Sequence, residues 1–201
     1  MGLTRRSVGF YAAEGGTPSR TEGIPTVALA GNPNVGKSTV FNALTGMHQH
    51  TGNWPGKTVT SAVGTMRSRG GEAYALVDLP GTYSLLAHSA EEEVARNFLC
   101  FGDADATVVV CDATCLERNL NLVLQTLEIT SRVIVCVNLL DEAARRGIRV
   151  DLPALSKELG VPVVGTSARK KSTLRGLVAV LDSLMRSPDL CHPTRLTYSE
   201  E

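Results

Sequence analysis

Short apolar runs alternate along most of the chain with segments of helical periodicity. The apolar runs predict buried strands at Val27–Ala30, Ala73–Val77, Ala106–Cys111, Arg132–Val137 and Val161–Val164. Apolar residues spaced three to four positions apart predict helices between them, at Lys37–Leu44, Ala90–Phe101, Leu116–Thr130, Leu140–Arg146, Pro153–Leu159 and Thr173–Met185. Strands that alternate with helices form a largely parallel sheet covered on both faces, so the pattern predicts an α/β fold.

Local signals support these elements. The segment Thr60–Arg69 ends in a turn-like Arg-Gly-Gly and predicts a strand that pairs antiparallel with the next strand along the chain. Ser89, with Glu92 three residues later, forms a capping box before a helix. Asp151 opens another helix, and Gly160 closes it at the position that favours glycine.

Composition narrows the class of protein. The chain has 201 residues, 43% of them hydrophobic, which suits one soluble α/β domain. Its 20 basic residues balance its 20 acidic ones, so charge gives no support to nucleic-acid binding. The five cysteines have no metal-type spacing, and we interpret them as small buried thiols in a reducing cytosol. Residues 1–25 are predicted to be a flexible leader, and no apolar stretch approaches the roughly 20 residues needed to cross a bilayer.

The strongest motif follows the first predicted strand and opens the first predicted helix. It fits G-x-x-x-x-G-K-[ST] in full, as Gly31-Asn32-Pro33-Asn34-Val35-Gly36-Lys37-Ser38. In such a loop the backbone N–H groups surround phosphates, and the helix N-terminus adds its dipole. We expect Lys37 to reach the β- and γ-phosphates and Ser38 to ligate Mg²⁺, and the predicted nucleotide site extends to Thr39.

Asp78 ends the next parallel strand and begins Asp78-Leu79-Pro80-Gly81. A carboxylate at the carboxyl end of a neighbouring parallel strand is where P-loop proteins hold the metal, usually through water. Gly81 is expected to offer its N–H to the γ-phosphate. Asp-x-Pro-Gly alone is more often a turn, but its place after this strand favours the functional interpretation.

Asn138 and Asp141 follow a later strand, with Leu139 beside them at the predicted base-binding position. A carboxylate accepts hydrogen bonds from the N1 and N2 donors of guanine, whereas adenine offers no such pair, so Asp141 would select guanine. Asn138 is expected to address the N7/O6 edge. After the last strand, a backbone N–H of Ser167 or Ala168 is expected to bind guanine O6.

Thr58 lies between the first helix and the second strand of the prediction and is the candidate threonine of a first switch loop. Its hydroxyl and carbonyl would touch Mg²⁺ and the γ-phosphate. The surrounding sequence is distinctive, and it runs Gly52-Asn53-Trp54-Pro55-Gly56-Lys57-Thr58-Val59.

With these motifs in order, the chain resembles the N-terminal G domain of the FeoB ferrous-iron transporters, over about Val27 to Met185. The resemblance rests on the phosphate loop and on four further strings: Gly52–Val59, Asp78–Leu85, Asp112–Thr114 with Leu116–Leu120, and Asn138–Asp141. The N-W-P-G and D-L-P-G-T-Y-S-L strings are much more specific than general GTPase motifs.

The resemblance implies a P-loop GTPase fold of the TRAFAC class. Its sheet would be mostly parallel, with six to seven strands, one antiparallel edge strand and helices on both faces. Residues 26–187 would form the G domain, and residues 188–201 a tail at the start of an absent or truncated helical spacer. The implied ligands are GTP and GDP, with Mg²⁺ and with K⁺ bound between Asn34 and Asn53. Catalysis is assigned to Asn34, Lys37, Thr58 and Gly81.

The implied function is GTP hydrolysis that couples to or gates Fe²⁺ transport. The partner would be a FeoB-type transmembrane region in the same or another chain, in the bacterial inner membrane, with this domain on the cytoplasmic side and a homo-oligomer as a further option. The alternative is a GTP/GDP-sensing module with incidental hydrolysis. A ribosome-associated GTPase is disfavoured by the family strings, and an adenylate-type kinase by the N-x-x-D motif and the missing lid.

Two residues modify the expected hydrolysis rate and nucleotide affinity. Thr82 stands where many GTPases have the glutamine that orients water, so slow intrinsic hydrolysis is expected. Leu139 replaces the lysine of N-K-x-D, so the dissociation constant for the nucleotide is expected to be micromolar. Trp54, flanked by Gly and Pro, is expected to anchor its loop or contact a partner rather than pack in the core. His48 and His50 lack other metal ligands nearby and are interpreted as exposed loop residues.

Overall fold

A computed structural model describes residues 23–46, 49–54, 58–86, 88–102 and 104–194. Within these ranges the chain forms seven β-strands and six α-helices. The strands are β1 Thr26–Gly31, β2 Gln49–Asn53, β3 Thr60–Arg67, β4 Ala73–Asp78, β5 Ala106–Asp112, β6 Val133–Asn138 and β7 Val163–Gly165. The helices are α1 Lys37–Thr45, α2 Ala90–Phe101, α3 Leu116–Ile129, α4 Leu140–Arg145, α5 Leu152–Leu159 and α6 Leu174–Arg186. Most of the predicted leader, the end of the predicted tail and His48 lie outside the described residues.

The strands form one mixed sheet in the order β2-β3-β4-β1-β5-β6-β7. The five strands from β4 to β7 in this order are parallel, and β3 pairs antiparallel with β4, as predicted. The strand β2, which the sequence did not predict, pairs antiparallel with β3 and extends that edge. The predicted α/β fold with a mostly parallel sheet and an antiparallel edge is therefore confirmed.

Burial explains why the central strands read as continuous apolar runs. All six residues of β1 and of β6 are buried, as are the first six of β5. In a parallel sheet covered by helices on both faces, every side chain of a central strand faces the interior. The carboxyl ends of these strands meet at one edge, where Asp112 pairs in register with Asn138. This edge carries the polar residues that the sequence singled out.

The predicted helix caps are present. Ser89 Oγ accepts a hydrogen bond from the Glu92 N–H at 3.1 Å, while the Glu92 carboxylate accepts one from the His88 N–H at 3.0 Å. Asp151 accepts from the Ala154 N–H at 2.9 Å at the start of α5. Gly160 ends α5 with φ +67°, and a Cβ there would lie 1.9 Å from the carbonyl oxygen of His192. Only glycine allows the C-terminal segment to approach this closely.

Trp54 is buried in the core, so the expectation that it would stay out of the core is wrong. Its side chain is only 5% exposed, and its ring packs edge-on against Phe98 of α2, with the centroids 5.5 Å apart. The backbone N–H of Trp54 also donates to the Val59 carbonyl at 2.8 Å, which closes the connection between β2 and β3. The partner that buries the indole lies far away in the sequence, which the neighbouring Gly and Pro could not indicate.

Burial also divides the cysteines. Cys111, Cys136 and Cys191 are buried as expected, whereas Cys100 and Cys115 are exposed, so the buried-thiol interpretation was wrong for those two. Burial raises the pKa of Cys136 to about 11, against a hydrogen bond with Thr166 that lowers it, which keeps this thiol protonated and unreactive. No helix among the described residues is long and apolar enough to cross a bilayer.

The Trp54–Phe98 contact gives a direct test of the fold around the first switch loop. Replacing Phe98 with Leu should lower the free energy of unfolding by about 1 kcal/mol, since a buried ring is replaced by a smaller side chain. It should also shift the emission of the single tryptophan to longer wavelength and increase its quenching by acrylamide. Phe101 on the same helix is 76% exposed and is the matched control. A Phe101→Leu variant that changed the emission equally would contradict this packing.

Candidate nucleotide-binding site

The phosphate loop joins the end of β1 to the start of α1, as the motif predicts. Gly36 has φ +83°, and a Cβ there would lie 2.5 Å from Nδ2 of Asn138. A Cβ on Gly31 would lie 2.6 Å from the carbonyl oxygen of Val110. Both glycines of the motif are therefore required by close packing, and Asn34 also adopts a left-handed conformation with φ +66°.

A cavity of about 630 Å³ opens over this loop. Most of the predicted nucleotide-binding residues line it, namely Asn32, Pro33, Asn34, Gly36, Lys37, Ser38, Thr39, Gly81, Asn138, Leu139, Asp141, Ser167 and Ala168. The described wall does not include Gly31, Val35, Asp78, Thr58 or Asn53. Its size and its split into a phosphate end and a base end suit one nucleotide.

Lys37 is buried at the phosphate end and already has partners there. Its ammonium group pairs with the Asp78 carboxylate and donates to the Leu79 carbonyl at 2.5 Å. Burial raises the pKa of Asp78, and the Lys37 charge together with hydrogen bonds from Lys37 and Ser38 opposes that rise. In this conformation the lysine neutralises Asp78, so phosphate oxygens would have to replace Asp78 and Leu79 as its partners.

The donors beside Lys37 fit a magnesium ion. Ser38 lies near Asp78 and lowers the pKa of its carboxyl. A hydroxyl and a carboxylate are hard oxygen ligands of the kind that Mg²⁺ takes, together with water and substrate phosphates. The predicted roles of Ser38 and Asp78 are therefore compatible with the structure. Elsewhere in the described part of the chain, no three His, Cys, Asp or Glu side chains cluster as a metal centre would require.

The Asn138 side chain joins the phosphate end of the cavity to the base end. It is fully buried, and its Nδ2 donates to the Val35 carbonyl at 3.0 Å. Its Oδ1 accepts from the Ala168 N–H at 3.0 Å and from the Thr166 hydroxyl at 3.1 Å. The acceptor end of the amide is thus fully used inside the protein, and only an N–H remains for the N7/O6 edge. Base contact by Asn138 stays a prediction.

Asp141 is positioned by the loop that follows β7. Its N–H donates to the Ser167 hydroxyl at 3.1 Å, and the Ser167 N–H donates to the Thr173 hydroxyl at 3.0 Å. Hydrogen bonding with Ser167 holds the pKa of the Asp141 carboxyl below its usual value, and Arg145 lowers it further. The carboxylate is therefore charged at neutral pH, as an acceptor for two guanine donors must be.

Gly81 lies directly against the phosphate loop. A Cβ on Gly81 would be 3.3 Å from both Cα and N of Pro33. The N–H of Thr82 donates to the Gly31 carbonyl at 3.2 Å, and Thr82 is only 4% exposed. Thr58 is exposed and lies in a bend, while Asn53 ends β2. The K⁺ site that would join Asn53 to Asn34 remains a prediction.

Comparison with known proteins identifies the family. The family model described as ferrous iron transport protein B matches residues 25–181. The chain belongs to the FeoB family. The Fe(2+) transporter FeoB of Salmonella typhimurium is 44% identical over 161 residues, which cover 78% of this chain and 21% of the relative. The chain therefore spans about a fifth of the length of the curated FeoB proteins that it matches.

Solved FeoB structures share the fold. The G domain of the T. maritima FeoB iron transporter matches with a TM-score of 0.75 and 42% identity, covering 80% of this chain and 98% of that one. The cytosolic domain of the same protein in a GDP form gives a TM-score of 0.84 at 41% identity, covering 88% and 69%. Its GMPPNP form gives 0.80 at 40% identity, covering 87% and 67%. The chain is thus a FeoB G domain with a P-loop GTPase fold.

Sequence reasoning missed several residues of this FeoB site. Glu142, Arg145 and Arg169 line the cavity. The Thr173 hydroxyl accepts a hydrogen bond from the Ser167 N–H. Arg145 follows Asp141 by four residues on α4, which is a spacing that places both on one face. The positions of Arg169 and Thr173 depend on the geometry of the loop after β7, which no sequence pattern indicates.

Asn32 differs from Asn138 in having no partner. It is 3% exposed, and within the described residues neither atom of its amide makes a hydrogen bond. A buried amide without partners costs on the order of 1–3 kcal/mol of stability. That cost is the basis of a stability test.

Replacing Asn32 with the similarly shaped Leu should raise the free energy of unfolding of the nucleotide-free protein by about 1 kcal/mol, because an unpaired buried amide is removed. The same change at Asn138 should lower it by about 3 kcal/mol, since the Val35 carbonyl and the Ala168 N–H lose their partner. Urea unfolding measures both. If Asn32→Leu were as destabilising as Asn138→Leu, then Asn32 would be paired in solution.

Proposed function

We propose that this chain is a GTPase domain that binds GTP with Mg²⁺, hydrolyses it slowly, and gates or couples Fe²⁺ transport by a FeoB-type membrane region. The observation that carries the proposal is that one cavity has Lys37 at one end and Asp141 at the other. The buried Asn138 side chain joins the two ends. The GDP and GMPPNP forms of the T. maritima relative support guanine nucleotides as ligands.

The residues of the cavity account for nucleotide binding in two parts. At one end, the loop from Asn32 to Ser38 presents backbone N–H groups and the positive end of the α1 dipole to the phosphates, and Lys37 adds a full charge. Mg²⁺, held by Ser38 and Asp78, would neutralise charge on the β- and γ-phosphate oxygens. At the other end, the Asp141 carboxylate would accept from N1 and N2 of guanine. Ala168 lines the same cavity.

Slow hydrolysis is supported by the position of Thr82. The residue is buried, and its short hydroxyl side chain lacks the long amide with which glutamine orients an attacking water. Catalysis would then rest on charge stabilisation by Lys37, the Gly81 N–H and K⁺ held by Asn34 and Asn53. The same observation favours the alternative, a GTP/GDP-sensing module whose turnover is incidental.

The names of the relatives support the proposed membrane partner and location. The curated relatives are named Fe(2+) transporters, and solved relatives are described as cytosolic domains of FeoB. We therefore place this domain on the cytoplasmic side of the bacterial inner membrane, attached to or docked on a transmembrane region, with a homo-oligomer as a further arrangement. The even balance of charges gives no reason to add nucleic acid.

The first test compares GTP and ATP hydrolysis by the purified chain, with Mg²⁺, in KCl and in matched NaCl. GTP-selective turnover that K⁺ raises about tenfold or more would support the proposal. Asn34→Ala should abolish the K⁺ stimulation and leave GDP binding nearly intact. Because φ at Asn34 is +66°, alanine is strained there, and Asn34→Gly removes the same amide without that strain.

Each result separates the hypotheses. Measurable GTP binding without turnover in either salt, even under single-turnover conditions, would favour the sensing module. Undiminished K⁺ stimulation in both Asn34 variants would remove Asn34 from the K⁺ site without affecting the guanine assignment.

A second test addresses base selection. Asp141→Asn should weaken GTP binding about 100-fold, because the amide nitrogen meets the guanine donors with donors of its own. The same amide can donate to the carbonyl at position 2 of xanthine, so XTP should bind the variant better than the parent protein. Glu142, the neighbouring carboxylate on the cavity wall, is the control, and Glu142→Gln should change neither affinity more than about threefold. Equal losses in the two variants would argue against Asp141 as the base-selecting residue.

A further inference from the structure

The segment that begins at Gly81, residues 81–86, is held against α3 by three side chains. The Arg118 guanidinium lies over the Tyr83 ring, 4.1 Å from its centroid. Asn121 Nδ2 donates to the Tyr83 carbonyl at 3.2 Å. Gln125 accepts from the Leu85 N–H at 2.7 Å and donates to the Ser84 hydroxyl at 3.4 Å. We call Arg118, Asn121 and Gln125 the α3 clasp.

The spacing of the α3 clasp places it on one face of the helix. Positions 118, 121 and 125 follow the i, i+3, i+7 pattern, so their side chains lie in one row. The core-facing side of α3 is formed by other residues, including Leu122, Val123 and Leu127. Asn121 and Gln125 instead bond to residues 83–85, and these contacts are not part of the packing of α3 on the core.

The other end of the same segment is fixed to the sheet. The Leu79 N–H donates to the Leu29 carbonyl at 2.9 Å, and the Thr82 N–H donates to the Gly31 carbonyl at 3.2 Å. Gly81 therefore lies between a fixed start at Leu79 and a fixed end at Leu85. It also lines the nucleotide cavity, where it lies against Pro33.

We propose that the α3 clasp positions residues 81–86 so that Gly81 is set in advance for the γ-phosphate. Arg118, Asn121 and Gln125 are positioning residues, because they act through this segment and do not line the cavity. The inference rests on the proposed function, which gives Gly81 its γ-phosphate contact. A segment ordered before binding loses less conformational entropy on contact, so the clasp favours triphosphate over diphosphate.

The contacts differ in expected weight. Tyr83 is 42% exposed, and both Arg118 and Asn121 lie on the surface, so water competes with their contacts. The Gln125–Leu85 bond is shorter and partly buried, and it engages the backbone next to the buried Leu85 side chain. Gln125 should therefore have the largest effect of the three.

The test uses Gln125→Leu, which removes both bonds at similar length, and Gln125→Glu, which keeps an acceptor for the Leu85 N–H. Dissociation constants for GMPPNP and GDP are measured with Mg²⁺ for each protein. Gln125→Leu should raise the GMPPNP constant about fivefold and change the GDP constant less than about twofold, and Gln125→Glu should restore most of the loss. Glu117→Ala, at an exposed position on α3, is the control.

A second readout needs no nucleotide. Hydrogen exchange of the Leu85 amide should accelerate at least about fivefold in Gln125→Leu and return toward the parent rate in Gln125→Glu. Faster exchange with unchanged preference between GMPPNP and GDP would show a purely structural contact and overturn the proposal. An equal loss of both nucleotides would overturn it as well. A parent protein that binds neither nucleotide would instead refute the proposed function, and the clasp with it.

Discussion

One buried amide holds the nucleotide cavity together. Asn138 ends a fully buried strand, and from there it bonds the phosphate loop on one side and the loop after β7 on the other. This side chain bonds both loops at once, so it helps to set the distance between them. The close approach of Gly36 to Nδ2 belongs to the same constraint, because any Cβ there would push the loop away from the amide. The distance between the phosphate and base ends of the cavity is thus built into the sheet.

The phosphate end of the cavity contains a buried ion pair. Lys37 and Asp78 are both largely buried, and each supplies the other's countercharge. Separating a buried pair is costly unless new partners arrive together. A triphosphate with its metal would provide them in one step, with phosphate oxygens for the ammonium group and a cation for the carboxylate. The pair therefore keeps the site charge-balanced when it is empty and makes its two halves respond together.

The sequence predicted the parts of the fold that depend on short-range pattern. The central strands were evident because they are apolar throughout, and Gly31–Ser38 was evident because its function requires its residue types. The strand β2 was missed because Gln49–Asn53 contains no apolar residue and depends on pairing with β3. Trp54 was misplaced for a similar reason, since Phe98, which buries it, is supplied by a distant helix. The partners of Asn138 and Asp141 could not be predicted either, because loop geometry decides which atoms a buried amide reaches.

These contacts also restrict how a nucleotide could influence the rest of the molecule. GTP and GDP differ only at the γ-phosphate, so a change of state must begin at residues that would touch it, Gly81 and Thr58 among them. The segment after Gly81 is bonded to Gln125 on α3, and Trp54, four residues before Thr58, packs against Phe98 on α2. The two candidate switches therefore lead to neighbouring helices, which follow one another in the chain and contact each other. A partner that distinguishes the two nucleotide states would accordingly be expected to contact the surface around α2 and α3.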